Sequence, residues 1–545
     1  MMLQVKYLKN LVLICFCLSP IFFWDAVDPF GLPKLLLISV SSVACAFILI
    51  LNVHLLKLKS LRAVIVSLTL FIVVSLLAFL NSNSSLTQQF YGIFTRHTGL
   101  LTYLSFCVLM YASILISSQK HLINISKYFI FSILIVLIVG FLQAFSFAPK
   151  MLSMADGQII GLSGNSNYHS AFLGIIGSGL IPLIYNAPIK VRMILLISEL
   201  LITFQIVQTK SQQGIYLLVI SACIFLIFVL KITKRIKLFT ISLIAFVGIS
   251  FFTLLSLFNK GPFAKFIFES SIEDRGYCMT AAIRIINESP LIGHGFDSYA
   301  DWYHRVRSVS SIQLKGIDGY CDTAHNVLLD LTVNGGILLL ISYLAINLIT
   351  LTSIVSLLRN FNSSQTICLP LILMWISYQI QSLISINQVG LAALGWIISG
   401  AIIGFDKHSN SEIFKNELNT FKAKRYSSLK LKTSMVLGSL LGFLIIFPAL
   451  KNSSNFLDAL RNNKAEDLNI SANAFPKSAW LLNYAIASQI QTGNFKLAEV
   501  NLEKASVVFP DNYLVWRQYL MLPNISPQLE SKAKAQLERL NPLAE

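Results

Sequence analysis

Arg62-Ala-Val-Ile-Val-Ser-Leu-Thr-Leu-Phe-Ile-Val-Val-Ser-Leu-Leu-Ala-Phe-Leu80 carries no charged side chain after its first residue. An α-helix needs roughly 20 apolar residues to cross the hydrocarbon core, where the backbone must satisfy its own hydrogen bonds. Comparable runs recur near 8–23, 32–55, 99–118, 127–147, 168–185, 193–208, 214–230, 238–258, 326–357, 366–386, 388–405 and 433–450. Together they predict an all-α, polytopic membrane helix bundle of twelve or thirteen spans. Composition agrees: 12% of residues are charged, 55% are hydrophobic and mean hydropathy is +0.70, leaving too little polar surface to cover a water-soluble globule. The first run follows Lys6 and Lys9 as a signal peptide would. No small-x-small cleavage site precedes Trp24-Asp25-Ala26-Val27-Asp28, so it reads as an uncleaved first span.

The formal charge of +17 raises the possibility of nucleic-acid binding, and the placement of Lys and Arg argues against it. Basic residues fall in alternate loops: Lys57, Lys59 and Arg62; Lys120 and Lys127; Lys190 and Arg192; Lys231, Lys234, Arg235 and Lys237; and Lys415, Lys422, Lys424, Arg425, Lys430 and Lys432. By the positive-inside rule these loops are cytoplasmic. Topology then puts the loop 259–325 and the tail 451–545 outside the cytoplasm, with 1–450 as the membrane domain. Six cysteines lie inside apolar runs and read as packing residues. Cys278 and Cys321 share the external loop, where an oxidising compartment permits a disulfide.

Beyond 450 the composition becomes water-soluble, with apolar residues at helical spacing. Gly493, Ala498, Ala505 and Pro510 carry the small-residue and proline spacing of a tetratricopeptide repeat, whose two helices touch at small side chains. An unrelated helical hairpin is the alternative. Such a tail is expected to bind a protein partner or carry an acceptor rather than perform chemistry.

The loop 259–325 concentrates Arg275, Arg284, His294, Asp297, Trp302, Tyr303, His304, Arg305, Arg307, Asp322 and His325. His325 precedes Asn326 and the apolar run beginning at Val327, which places it where a span meets the interface. A neutral imidazole there suits a general base. Nearby arginines suit a phosphate-bearing substrate, because guanidinium keeps its charge and grips oxyanions with two donors.

The stretch Arg275 to Gly295, then His325-Asn326, then Asn334-Gly335-Gly336, resembles the O-antigen ligase and O-antigen polymerase superfamily. Gly92-x-x-x-Arg96-x-x-Gly99 and Gly164-Asn-Ser-Asn167 are similar to two further elements of that family. The resemblance spans about residues 20–405. It implies a metal-independent bacterial inner-membrane transferase without a cofactor, moving an undecaprenyl-diphosphate-linked saccharide to a glycan, lipid or protein acceptor. His325 matches the family's loop-edge histidine and Arg275 its loop arginine; Arg96, Arg284, Arg305 and Asn326 are further candidates for substrate binding. Many relatives carry Ser-Arg in the turn that here reads Thr209-Lys210-Ser211-Gln212, so Lys210 or Gln212 would have to supply that contact. Ligation, polymerisation and transfer to protein share this donor chemistry. A secondary transporter is the rival class, and it would place ionisable or helix-breaking residues at mid-membrane.

Overall fold

The computed structural model describes residues 3–149, 158–268, 270–359, 361, 366–420 and 428–543; Lys422, Lys424 and Arg425 of the last basic cluster lie outside them. The described residues contain helices and no strand. Each of the thirteen apolar runs falls on a helix, and ten of these helices are long and apolar enough to cross a membrane. Leu100–Ile116, Cys368–Ile384 and Leu3–Leu18 are shorter apolar helices. Several boundaries differ from the hydropathy reading, among them those of the first and last helices. The first helix ends at Leu18, two residues before Pro20, whose ring is incompatible with a helix interior. The last, Ser428–Arg461, continues beyond its apolar run, so one helix carries the chain from membrane to tail.

Helices meet where small residues let backbones approach, the usual device where lipid removes the hydrophobic drive for association. Gly400 and Gly404 of helix Val389–Asn410, whose apolar stretch is wholly buried, face the Met110 and Ile114 carbonyls of Leu100–Ile116. Gly438 and Gly442 of Ser428–Arg461 lie against Ala44 and Ser39 of Gly31–Leu51. At the opposite extreme, none of the apolar stretch of Ile236–Ser256 is enclosed by protein, as expected of a lipid-facing helix.

Two of the basic loops meet where Glu417 accepts from Lys59 N at 2.9 Å and Ser60 Oγ donates to the same carboxylate. The loop 259–325, the segment 81–99 and the tail pack on one another.

The tail forms its own core around Phe456, Leu481, Ile486, Leu502, Trp516 and Leu540. Ala498 and Ala505 are fully buried where helix Phe495–Val508 packs on Ala479–Gln491. The tail is fastened to the membrane domain at several points. Arg305 pairs with Asp511 at 2.8 Å, Arg517 with Asp318, and Arg461 with Asp25 at 2.6 Å. His304 stacks on Tyr513 at 4.6 Å and Phe94 on Trp480 at 4.7 Å.

Candidate functional site

The helix Val327–Arg359 is broken at Gly335 and Gly336. Gly336 has φ +66°, and a Cβ there would sit 2.2 Å from the Leu291 carbonyl carbon. The stretch 290–295 runs alongside this break: His294 N donates to Val333 O at 2.8 Å, Gly295 N to Asn334 O at 2.9 Å, and Ile337 N to Pro290 O at 2.8 Å. Carbonyls freed by the break thus find donors inside the protein, the condition for irregular backbone at the membrane. The two motif pieces, Pro290–Gly295 and Asn334–Gly336, are one structural unit. It leaves a short half-helix, 327–334, with His325 and Asn326 at its N-terminus.

His325 itself has a left-handed backbone, φ 53°, an uncommon state for a side-chain-bearing residue. Its turn is held from both sides. Ala324 N donates to Asp330 Oδ1 at 2.7 Å, while Asn326 Oδ1 accepts from Leu328 N at 2.9 Å and Leu329 N at 3.1 Å. Asn326 Nδ2 donates to Leu383 O at 2.9 Å, so this side chain caps the half-helix and ties it to Cys368–Ile384. The His325 imidazole is half-buried and has no hydrogen-bond partner among the described residues. Burial first and the Arg275 charge second pull its pKa from 6.5 to about 4; Asp322 opposes them, and Arg96 and Lys315 add to the lowering. The ring is therefore neutral near pH 7.

Arg275 reaches this point from helix Ser270–Glu288 and spends one donor on Ile384 O at 3.2 Å. Arg96 stands in the short loop closed by Gly92 and Gly99. Its Nε donates to Asp322 Oδ2 at 2.7 Å and one terminal nitrogen to the Tyr168 hydroxyl at 2.6 Å. Burial disfavours the Arg96 charge, but Tyr168 and then Asp322 hold its pKa above the ordinary value. Asp297 knits the Arg96 loop to the large loop, accepting from Ile93 N at 2.8 Å and Thr98 Oγ1 at 2.7 Å. Cys278 and Cys321 are disulfide-bonded, joining the Arg275 helix to the residue before Asp322. Asp274 approaches both sulfurs, but thiols committed to a disulfide are not thiolate ligands for a metal.

The remaining candidates fall in different places. Lys210 and Gln212 are exposed in the turn that packs on the Gly164–Asn167 element, where Ser211 Oγ donates to Asn167 Oδ1 at 2.7 Å. That element is itself a helix start: Asn165 Oδ1 caps Asn167 N at 2.8 Å, one residue before Tyr168. Arg284 and Arg305 are not part of the His325 cluster. Arg284 is exposed and donates to Val306 O at 2.7 Å, and Arg305 lies over Trp302 at 4.3 Å while pairing with the tail. Tyr168 and Lys315 join the cluster although sequence reasoning did not select them; the only signal for Tyr168 was its position directly after the Gly-Asn-x-Asn element.

Residues 197–344 match the family model of O-antigen ligase. The matched segment includes Lys210, Arg275, His325 and the glycine break, and leaves Arg96 and the tail outside. None of the curated proteins matches the chain. The ligase-like segment thus carries both the histidine and the loop arginine, while a separate part of the bundle supplies the second arginine.

Proposed function

We propose that this chain is a membrane glycan transferase that moves an undecaprenyl-diphosphate-linked saccharide to an acceptor hydroxyl at the outer face of the bacterial inner membrane. The observation that carries the reading is the convergence of His325, Arg275 and Arg96 in a chain whose 197–344 segment matches the O-antigen ligase model. In this reading the positive-inside rule puts the loop that carries His325 and Arg275 on the extracytoplasmic side.

In this reading Arg275 and Arg96, with the half-helix N-terminus, bind the diphosphate and stabilise the charge that grows on it as the bond breaks. The acceptor hydroxyl gives its proton to the neutral His325 imidazole and its oxygen attacks the anomeric carbon. The bond from that carbon to the diphosphate oxygen breaks, and the lipid diphosphate leaves with the electron pair. Asn326 and Asp330 hold the turn that carries His325.

Comparing surface glycan and lipid-linked saccharide in cells with and without the gene tests the class. Loss of one surface glycan with accumulation of its lipid-linked precursor supports transfer, whereas no change in either contradicts it.

A further inference from the structure

A cavity of about 230 Å³ lies between the tail, the segment 87–97 and the large loop. It meets the site described above through Gly92 and Ile93 of the Arg96 loop and through Asp322, which also accepts from Arg96. The cavity therefore adjoins the reacting end of the proposed site.

Its walls hold polar groups that no described residue satisfies. Asn452, Asn483 and His304 are each at most 8% exposed and all line the cavity. Asn452 Oδ1, Asn483 Oδ1 and His304 Nε2 have no hydrogen-bond partner among the described residues. A buried polar atom left unpaired costs about 1–3 kcal/mol, and three around one cavity mark a place where a ligand completes the structure. Burial, reinforced by Arg307, lowers the His304 pKa to about 3, so this ring also stays neutral.

The chemistry of the walls narrows the ligand. Two amide oxygens ask for donors, and the carboxylates of Asp301, Asp318 and Asp322 add acceptors and, against one lining lysine, Lys477, oppose a second anion. The Tyr320 ring, 56% exposed and two residues from Asp322, offers an apolar face, and Phe94 stacked on Trp480 provides another apolar wall. A lipid chain would leave the amides unsatisfied, and a phosphate would meet carboxylates. A neutral polyhydroxylated ring satisfies both demands, with hydroxyls for the amides and carboxylates and C–H faces for the aromatic groups. The volume is below the ~300–1,000 Å³ usual for drug-sized ligands, in keeping with one sugar unit at the end of a chain.

We propose that this cavity, built jointly by the tail and the membrane domain, is the acceptor subsite and that it takes the terminal sugar of a saccharide. The tail is then one wall of the site rather than an appended partner-binding module. The sugar's role as acceptor rests on the glycan-transfer reading; its binding in the cavity does not.

The test uses the full chain in lipid nanodiscs and saturation-transfer NMR. The probes are the oligosaccharide fraction released by mild acid from the host's surface lipids and, separately, a serine-containing heptapeptide. Wild type and His325→Ala are expected to bind the oligosaccharides equally. Tyr320→Leu, which alters an exposed ring, and Asn452→Leu, which removes no hydrogen bond among the described residues, are each expected to weaken binding at least tenfold. Unchanged affinity in both variants, no oligosaccharide binding to wild type, or binding of the peptide in its place overturns the assignment. Intact sugar binding in a protein whose gene deletion leaves surface glycan and its lipid-linked precursor unchanged would contradict the transfer reading and leave the cavity assignment standing.

Discussion

Arg96 and Asp322 are 226 residues apart in sequence and 2.7 Å apart in the fold. Their side chains are only about a fifth exposed, so the pair fixes the rim of the site from two directions. Asp322→Asn keeps the shape and removes the charge. Charge-assisted hydrogen bonds contribute about 1.5–3 kcal/mol, so a fall in thermal stability of that size is expected, together with at least a tenfold loss of transfer. Thermal unfolding alongside a donor-consumption assay checks both; unchanged transfer would mean that Arg96 needs no partner to work.

The Cys278–Cys321 disulfide closes a 43-residue separation between the helix bearing Arg275 and the turn bearing His325. Disulfides of this kind stabilise by about 2–4 kcal/mol, chiefly by restricting the unfolded chain. The double substitution Cys278→Ala, Cys321→Ala should lower the midpoint of loop unfolding, read by limited proteolysis, and reduce transfer more than it reduces membrane insertion. Thiol labelling of the unreduced protein should modify neither cysteine.

His325 should titrate low. Its folded pKa of about 4 lies below the ordinary 6.5, so between those values the unfolded chain binds more protons at this residue. Its contribution to stability is fully present above about pH 6.5 and is lost as pH falls through about 4. Arg275 is a lowering influence, and Arg275→Gln should move the His325 pKa upward; a bound diphosphate should do the same. NMR titration of isotope-labelled histidine, with and without inorganic pyrophosphate, reads both shifts. A downward movement in Arg275→Gln would place that guanidinium elsewhere.

Gly336 and Gly248 should respond oppositely to alanine. At Gly336 the positive φ and the Leu291 carbonyl leave no room, and a loss of about 1–3 kcal/mol from backbone strain alone is expected, with disruption of the 290–295 pairing. At Gly248, in the lipid-facing helix, nothing lies within 4 Å and alanine should stabilise by up to about 1 kcal/mol. Detergent-solubilised melting curves of the two variants check the contrast.

Hydropathy located the apolar helices because length and charge-free composition are properties of each segment alone. His325 and Arg275 were legible for a similar reason: both sit in a loop of unusual polarity. What the chain does not display locally is pairing. Asp28 looked like part of an acidic turn, yet it caps helix Gly31–Leu51 through Gly31 N at 2.8 Å and meets the buried His97 at 2.6 Å. Arg305 resembled a phosphate ligand by type, and only the folded tail reveals Asp511 as its partner. The cavity was invisible for the same reason, since its walls come from three segments that no periodicity connects.

The most direct test of the account is single-turnover reaction of the purified chain in lipid vesicles with a labelled undecaprenyl-diphosphate-linked saccharide and the host acceptor glycan. General-base catalysis contributes about 10²–10⁴-fold. His325→Ala should therefore slow release of undecaprenyl diphosphate at least a hundredfold while leaving donor binding intact, and equal rates in wild type and His325→Ala would contradict it.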